Sequence, residues 1–317
     1  MRMSIPKQLL VSLLLAAAVF GVFSWPLFRH FDEGIPHTST RGEAMAVRQG
    51  VMGDHLQLLF HFWLADEWFS GSTPMGYNPY TFNLGDDLGE KVPATDYLPF
   101  SGVFALLNGP LPRAAAWNLT ILFSLWMSHF FIARLLLAYG ASAGVSLILA
   151  TVAFALPYQW ATAFGGSPTG FAMMAIPMLL LGLERALRQT SWAGGFLAAA
   201  GLLVAFWTDG HLILFSLMLG PAWALLVLIH DDRIKLKDAK DLARRIAAAS
   251  PVIIMAVFAV IQRLKTKAAL SGSVVGGGRE WREVALFSPH ARGLVAHGTT
   301  GHDHTIYLGG LMLFLVA

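Results

Sequence analysis

Leu135 to Leu183, LLLAYGASAGVSLILATVAFALPYQWATAFGGSPTGFAMMAIPMLLLGL, runs for 49 residues without one Asp, Glu, Lys or Arg. As a single helix it would extend about 73 Å, more than twice the hydrocarbon thickness of a bilayer. It must therefore fold back on itself. Turn-forming residues sit at two places, Gly140 to Gly144 and Gly165-Gly166-Ser167-Pro168. They predict one span near 145–164 and another near 169–183. Charges close both ends, Arg134 before and Glu184-Arg185-Ala186-Leu187-Arg188 after.

The same pattern continues outward in both directions. Upstream, 114–133 is uncharged, and Leu9 to Phe28 gives twenty more residues without a formal charge, the length a bilayer core requires. A cleaved secretory signal is the competing reading of the first run, but Ser24-Trp25-Pro26-Leu27-Phe28 is too bulky for a cleavage site. Downstream, spans are expected at 191–208 and 212–229, with Asp209-Gly210-His211 as a tight turn between them. The charged run Asp231 to Arg245 follows, then a seventh span from Ile246 to Gln262. An eighth apolar run starts at Thr305 and stops at Ala317, too short to cross, so the chain reads as incomplete at its C-terminus.

Composition agrees. Hydrophobic residues make up 56% and charged ones 13%, and 10 tryptophans and 22 phenylalanines are more apolar surface than a soluble chain of this size hides. The absence of cysteine excludes disulfide frameworks and thiolate metal sites. A net charge of +3 is no nucleic-acid signature. The expected fold is all-α: one polytopic transmembrane bundle of 7–8 spans over residues 1–317.

Basic residues near span ends set the orientation. With a cytoplasmic N-terminus, Arg134, Arg185, Arg188 and the 230–245 loop fall inside, and the loops 30–112 and 263–304 both fall outside. The second outer loop breaks the rule by carrying Lys265, Lys267, Arg279, Arg282 and Arg292. Cations on that side suit an anionic ligand or lipid headgroups.

Within loop 30–112, Gly53-Asp54-His55-Leu56-Gln57 opens the apolar run Leu58 to Leu64. It predicts a short helix lying on the membrane surface, with aromatic patches near Phe60–Phe69 and Tyr97–Phe104 at headgroup depth. On a helix Asp54 and Gln57, three apart, share a face and place a carboxylate beside an amide. Asp54 is also a good helix cap, and the two roles are compatible.

A first span, a large outer loop opening with Gly-Asp-x-x-Gln and an aromatic helix, then Asn78-Pro79 and Pro99-Phe100, then closely spaced spans, is similar to the bacterial GT-C class of integral-membrane glycosyltransferases that use polyprenyl-phosphate-linked sugars. Phe287-Ser288-Pro289 and an acid ahead of Tyr307-Leu308-Gly309 add to the resemblance, which covers nearly the whole chain. One departure is Asp303, flanked by His302 and His304, where a glutamate is expected. The resemblance implies sugar transfer at the extracytoplasmic face of the bacterial inner membrane, with a lipid-linked donor and with Asp54 at the catalytic site. As general base, Asp54 would take the acceptor's proton. Gln57, Asp96 and Asp303 are expected at the substrate, and Arg279, Arg282, Arg292 and His297 are candidates to meet the phosphate. Some members use a divalent metal, but no ligand set here is compelling.

Other features have plainer readings. Asp66-Glu67 and Asp86-Asp87 read as solvated loop acids. Asp209 and His211 read as an outer turn. The histidines around Asp303 match no metal-site spacing, and Gly276-Gly277-Gly278 lacks the ending of a nucleotide loop. Asn118-Leu119-Thr120 is a sequon only on paper, because it opens a span. A transporter or flippase, or a noncatalytic membrane partner, is the alternative function; the lack of an internal repeat and of ionisable groups at depth between 114 and 229 disfavours ion coupling.

Overall fold

The computed structural model describes residues 3–36, 55–80, 97–154, 157–231, 234 and 238–269. The described residues are helical, without strands. In chain order the helices are α1 (Ile5–Phe23), α2 (His55–Ser70), α3 (Leu98–Asn108), α4 (Arg113–Ala138), α5 (Ala143–Phe154), α6 (Pro157–Phe164), α7 (Pro168–Gln189), α8 (Trp192–Thr208), α9 (Gly210–His230) and α10 (Ala239–Ala269). A 3-10 turn at Ala172–Met174 lies inside α7. Five of them, α1, α4, α7, α9 and α10, are long and apolar enough to cross a membrane, while α3, α5 and α8 are apolar but shorter.

Local chemistry sets several helix ends. Pro6 and Pro168 occupy first turns, where a missing N–H costs nothing. Ser191 caps α8 by accepting from the Gly194 N–H at 3.2 Å. Thr190, at φ 48°, turns the chain out of α7 in the left-handed region. The charged run expected as a loop to residue 245 is instead helical from Ala239. Asp238 accepts from the backbone N–H groups of Lys240 (3.0 Å) and Asp241 (3.2 Å), and Arg245 grips Asp241 one turn on at 2.8 and 3.1 Å. The span expected over 145–164 is two helices, with α6 opening at Pro157.

Polar contacts fix the directions. At one end of the bundle the Arg134 guanidinium donates to Gln8 Oε1 at 3.3 Å, and the Tyr139 hydroxyl donates to Glu184 Oε2 at 3.0 Å. Arg188 Nε lies 2.8 Å from Glu184 Oε1 and 3.3 Å from Asp231. Among the described residues neither Arg188 Nε nor Glu184 Oε1 makes a directed hydrogen bond, so that contact is one of charge. Arg245, 6% exposed, donates to the carbonyls of Leu187 and Arg188, satisfying the last turn of α7. At the other end, buried Asn118 donates to the carbonyls of Phe31 and Gly34, both at 2.8 Å. Thr169 bonds Asp209, and Arg263 reaches the Phe206 carbonyl at 3.4 Å. It follows that α4, α7 and α9 run parallel, with α1, α8 and α10 opposite.

The core is shared. Phe62 of α2, Trp117 of α4 and Phe171 of α7 are each at most 1% exposed, with ring centres 5.1 to 5.7 Å apart. Each such pair contributes about 0.5–1.5 kcal/mol beyond area burial. The node ties α2 and the bundle into one hydrophobic cluster, and α2 also buries Leu58, Leu64, Ala65 and Trp68. Exposure on α2 is left to residues such as Leu56, Gln57 and Phe69.

Candidate functional site

The region around the start of α2 forms from three pieces of chain. His55, the first residue of α2, is 2% exposed, stacks on Trp117 at 6.1 Å and places Nε2 3.2 Å from the Pro36 carbonyl. It is wedged against Gly166 in the turn before α7. A Cβ on that glycine would meet His55 atoms at 2.7 to 2.8 Å, and its φ of +72° also demands glycine. Two residues further along α2, the exposed Gln57 amide donates to the Tyr97 hydroxyl at 3.5 Å, the outer limit of a hydrogen bond.

Tyr97 joins the second piece to the third. It precedes α3 in a left-handed conformation, φ 64°, unusual for an aromatic residue, and its backbone N–H donates to the Trp207 carbonyl at the end of α8. Its ring meets His61 edge-on at 4.6 Å. His61 Nδ1 is buried without a hydrogen-bond partner among the described residues, and burial lowers the imidazole pKa to about 4. His61 is therefore neutral at physiological pH, a fixed wall and not a proton donor.

Just past Trp207 lies Asp209, 8% exposed and the one buried acid among the described residues at this end. One carboxylate oxygen accepts from the Thr169 hydroxyl. The other accepts from the His211 backbone N–H at 2.9 Å, with His211 Nδ1 at 3.2 Å. This caps α9 and pins it to the start of α7. With both oxygens engaged, Asp209 is a positioning residue, and the turn foreseen in the sequence becomes a buried junction.

Of the residues singled out from the sequence, Gln57 is placed here. Asp54, Asp96, Arg279, Arg282, Arg292, His297 and Asp303 lie outside the described residues, as do His302, His304, Asp86 and Asp87. The chain neighbours of Asp54 and Asp96, His55 and Tyr97, are both held at this end. Asp66, expected to be a solvated acid, is half-buried and accepts from Asn108 at 3.1 Å, tying α2 to α3. Asn118 is buried and committed to two carbonyls. Among the described residues no three His, Asp or Glu side chains converge on a metal-sized site.

Tyr97, Thr169 and His61 were not legible as site residues. Nothing in the sequence marks an aromatic residue for a left-handed turn, and Thr169 acquires its role only through Asp209, forty residues on.

No family model, no curated protein and no solved structure matches the chain.

Proposed function

We propose that this chain is a membrane glycosyltransferase that moves a sugar from a polyprenyl-phosphate donor to an acceptor at the extracytoplasmic face, with Asp54 as general base. What supports the reading, beside the sequence resemblance, is the exposed Gln57 amide on a 16-residue helix that carries Asp66 and Glu67 and lacks the apolar length of the crossing helices. That amide stands at the end of the bundle where α7 and α9 begin, two residues along α2 from His55, which follows Asp54.

The chemistry follows from the groups in hand. The acceptor oxygen attacks the anomeric carbon while its proton passes to the Asp54 carboxylate. The bond from that carbon to the phosphate oxygen breaks, and the lipid phosphate leaves with the electron pair. Arg279, Arg282, Arg292 and His297 offset the charge on the departing phosphate, and Gln57, Asp96 and Asp303 orient the sugar. In this reading α5 and α6 together make one crossing and α8 another, giving seven with the five long helices, and residues 305–317 begin an eighth. The Asp209 end faces outward, and the Arg188 end faces the cytoplasm of a bacterial inner membrane.

Asp54→Asn tests the assignment, because it keeps the shape and removes the base. Transfer from a polyprenyl-phosphate sugar to acceptor should fall about 100- to 10,000-fold while membrane insertion and melting temperature stay unchanged. Transfer at the normal rate would remove Asp54 from the mechanism. A transport reading would draw on His129, buried in α4 with Nε2 3.0 Å from Thr151. Among the described residues it has no acid partner, so it supplies no coupling pair.

A further inference from the structure

The end of the bundle opposite Asp209 holds four arginines with buried or half-buried side chains, and they are not equivalent. Arg188 is paired with Glu184 and Asp231, and its guanidinium also lies 5.0 Å from the centre of the Tyr139 ring. Arg245 is paired with Asp241 and with the carbonyls ending α7. Arg134 and Arg185 have no carboxylate among the described residues. Glu184, the neighbouring buried acid, is already taken by Arg188 and Tyr139.

We infer that Arg134 and Arg185 form a binding site for a phosphate-bearing anion, of the class displayed by acidic phospholipid headgroups. Arg134, half-buried on α4, is aimed along the seam with α1 by its 3.3 Å bond to Gln8, itself 1% exposed. Arg185, half-buried on α7, follows Glu184, whose 3.0 Å bond to Tyr139 brings this end of α7 against the end of α4 that carries Arg134. Two partly desolvated like charges repel and lower each other's stability, so a site that keeps both is completed by an anion. The planar guanidinium fork matches phosphate oxygens two at a time, a geometry lysine does not offer. The flanking helices are apolar and membrane-length, which puts the pair where a headgroup phosphate lies beside its own acyl chains.

The test uses the full chain purified in a neutral detergent, with phosphatidylglycerol, phosphatidylcholine and inorganic phosphate as probes. Native mass spectrometry should show phosphatidylglycerol retained by the wild type and phosphatidylcholine not. Arg134→Gln and Arg185→Gln should each reduce retention about tenfold or more. Arg244→Gln, which removes an exposed cation near the same end, should leave retention unchanged. A rise in melting temperature with millimolar inorganic phosphate, absent in Arg185→Gln, supports the site with the free ion as its ligand. Binding of neither phosphatidylglycerol nor inorganic phosphate by the wild type, retention of phosphatidylcholine equal to that of phosphatidylglycerol, equal retention by the Gln variants, or an equal loss in Arg244→Gln overturns it. Should the Gln variants not survive purification, Arg185→Lys keeps the charge and loses the fork; unchanged retention then overturns the site, and reduced retention supports it.

Discussion

His61 gives the candidate site a pH signature of its own. Its pKa is lowered by burial from 6.5 to about 4, so the folded protein keeps the ring neutral where the unfolded chain begins to protonate. A depressed base costs stability as pH falls through the unfolded value, so the loss opens near pH 6.5 and is complete near 4. Between pH 7 and 5 the protein should lose up to about 2 kcal/mol at this residue. Unfolding in detergent at the two pH values should show that slope, and His61→Phe, which keeps an aromatic edge against Tyr97, should flatten it. A slope unchanged by the substitution would assign the acid sensitivity elsewhere. The polar half of the site was only partly visible in sequence: Gln57 was singled out beside Asp54, which lies outside the described residues, and Asp209 was read as an outer turn where the structure buries it. Tyr97 and Thr169 were not, because a hydroxyl between apolar spans has no periodic signal and acquires meaning only from its partner in space.

At the scale of the helix, the tightest demand falls on glycine. α7, α8 and α10 approach each other through small residues, as helices do where lipid removes the hydrophobic incentive to associate. A Cβ on Gly195 would collide with the Ala248 carbonyl oxygen of α10, one on Gly182 with Ala198, and one on Gly201 with the α7 backbone at Leu179. Gly195→Val should therefore force α8 away from α10 and cost roughly 1–3 kcal/mol, seen as a lower melting temperature in detergent. Gly144→Ala, at a position with nothing within 4 Å of the new methyl, should change little. Equal melting temperatures for the two variants would contradict this packing. The contrast shows what sequence carries at this level. Charge-free length announced the long helices, and the turn residues Gly165-Gly166-Ser167-Pro168 announced the start of α7. α10 begins earlier than its hydropathy suggested because the cap at Asp238 and the Asp241–Arg245 pair are polar and invisible to an apolar window. Which glycines are packed and which are free is set by the neighbouring helix, so the close approach at Gly195 shows only once both sides of the interface are known.

The whole molecule poses a question of parity. α7 and α9 run in the same direction, because Thr169 meets Asp209 where both begin and Arg188 meets Asp231 where both end. α8 joins the end of α7 to the start of α9 and must travel back along their length. Its 17 residues make a helix of about 26 Å, slightly under a 30 Å hydrocarbon core. That shortfall is absorbed at a fraction of a kcal/mol per Å by local thinning of the bilayer. If α7 and α9 both cross, α8 crosses too, and counting long helices alone undercounts the passes. The same reasoning applies between the parallel α4 and α7, where α5 and α6 share the return. Because the chain contains no cysteine, single substitutions report cleanly. Gln189→Cys and His211→Cys bracket α8 at exposed positions, the second with a side chain 77% exposed. A membrane-impermeant maleimide added to intact cells should label His211→Cys, and should label Gln189→Cys only after the membrane is opened. Labelling of both from one side would break the parity argument and, with it, the proposed orientation in which Gln57 and Asp209 face outward.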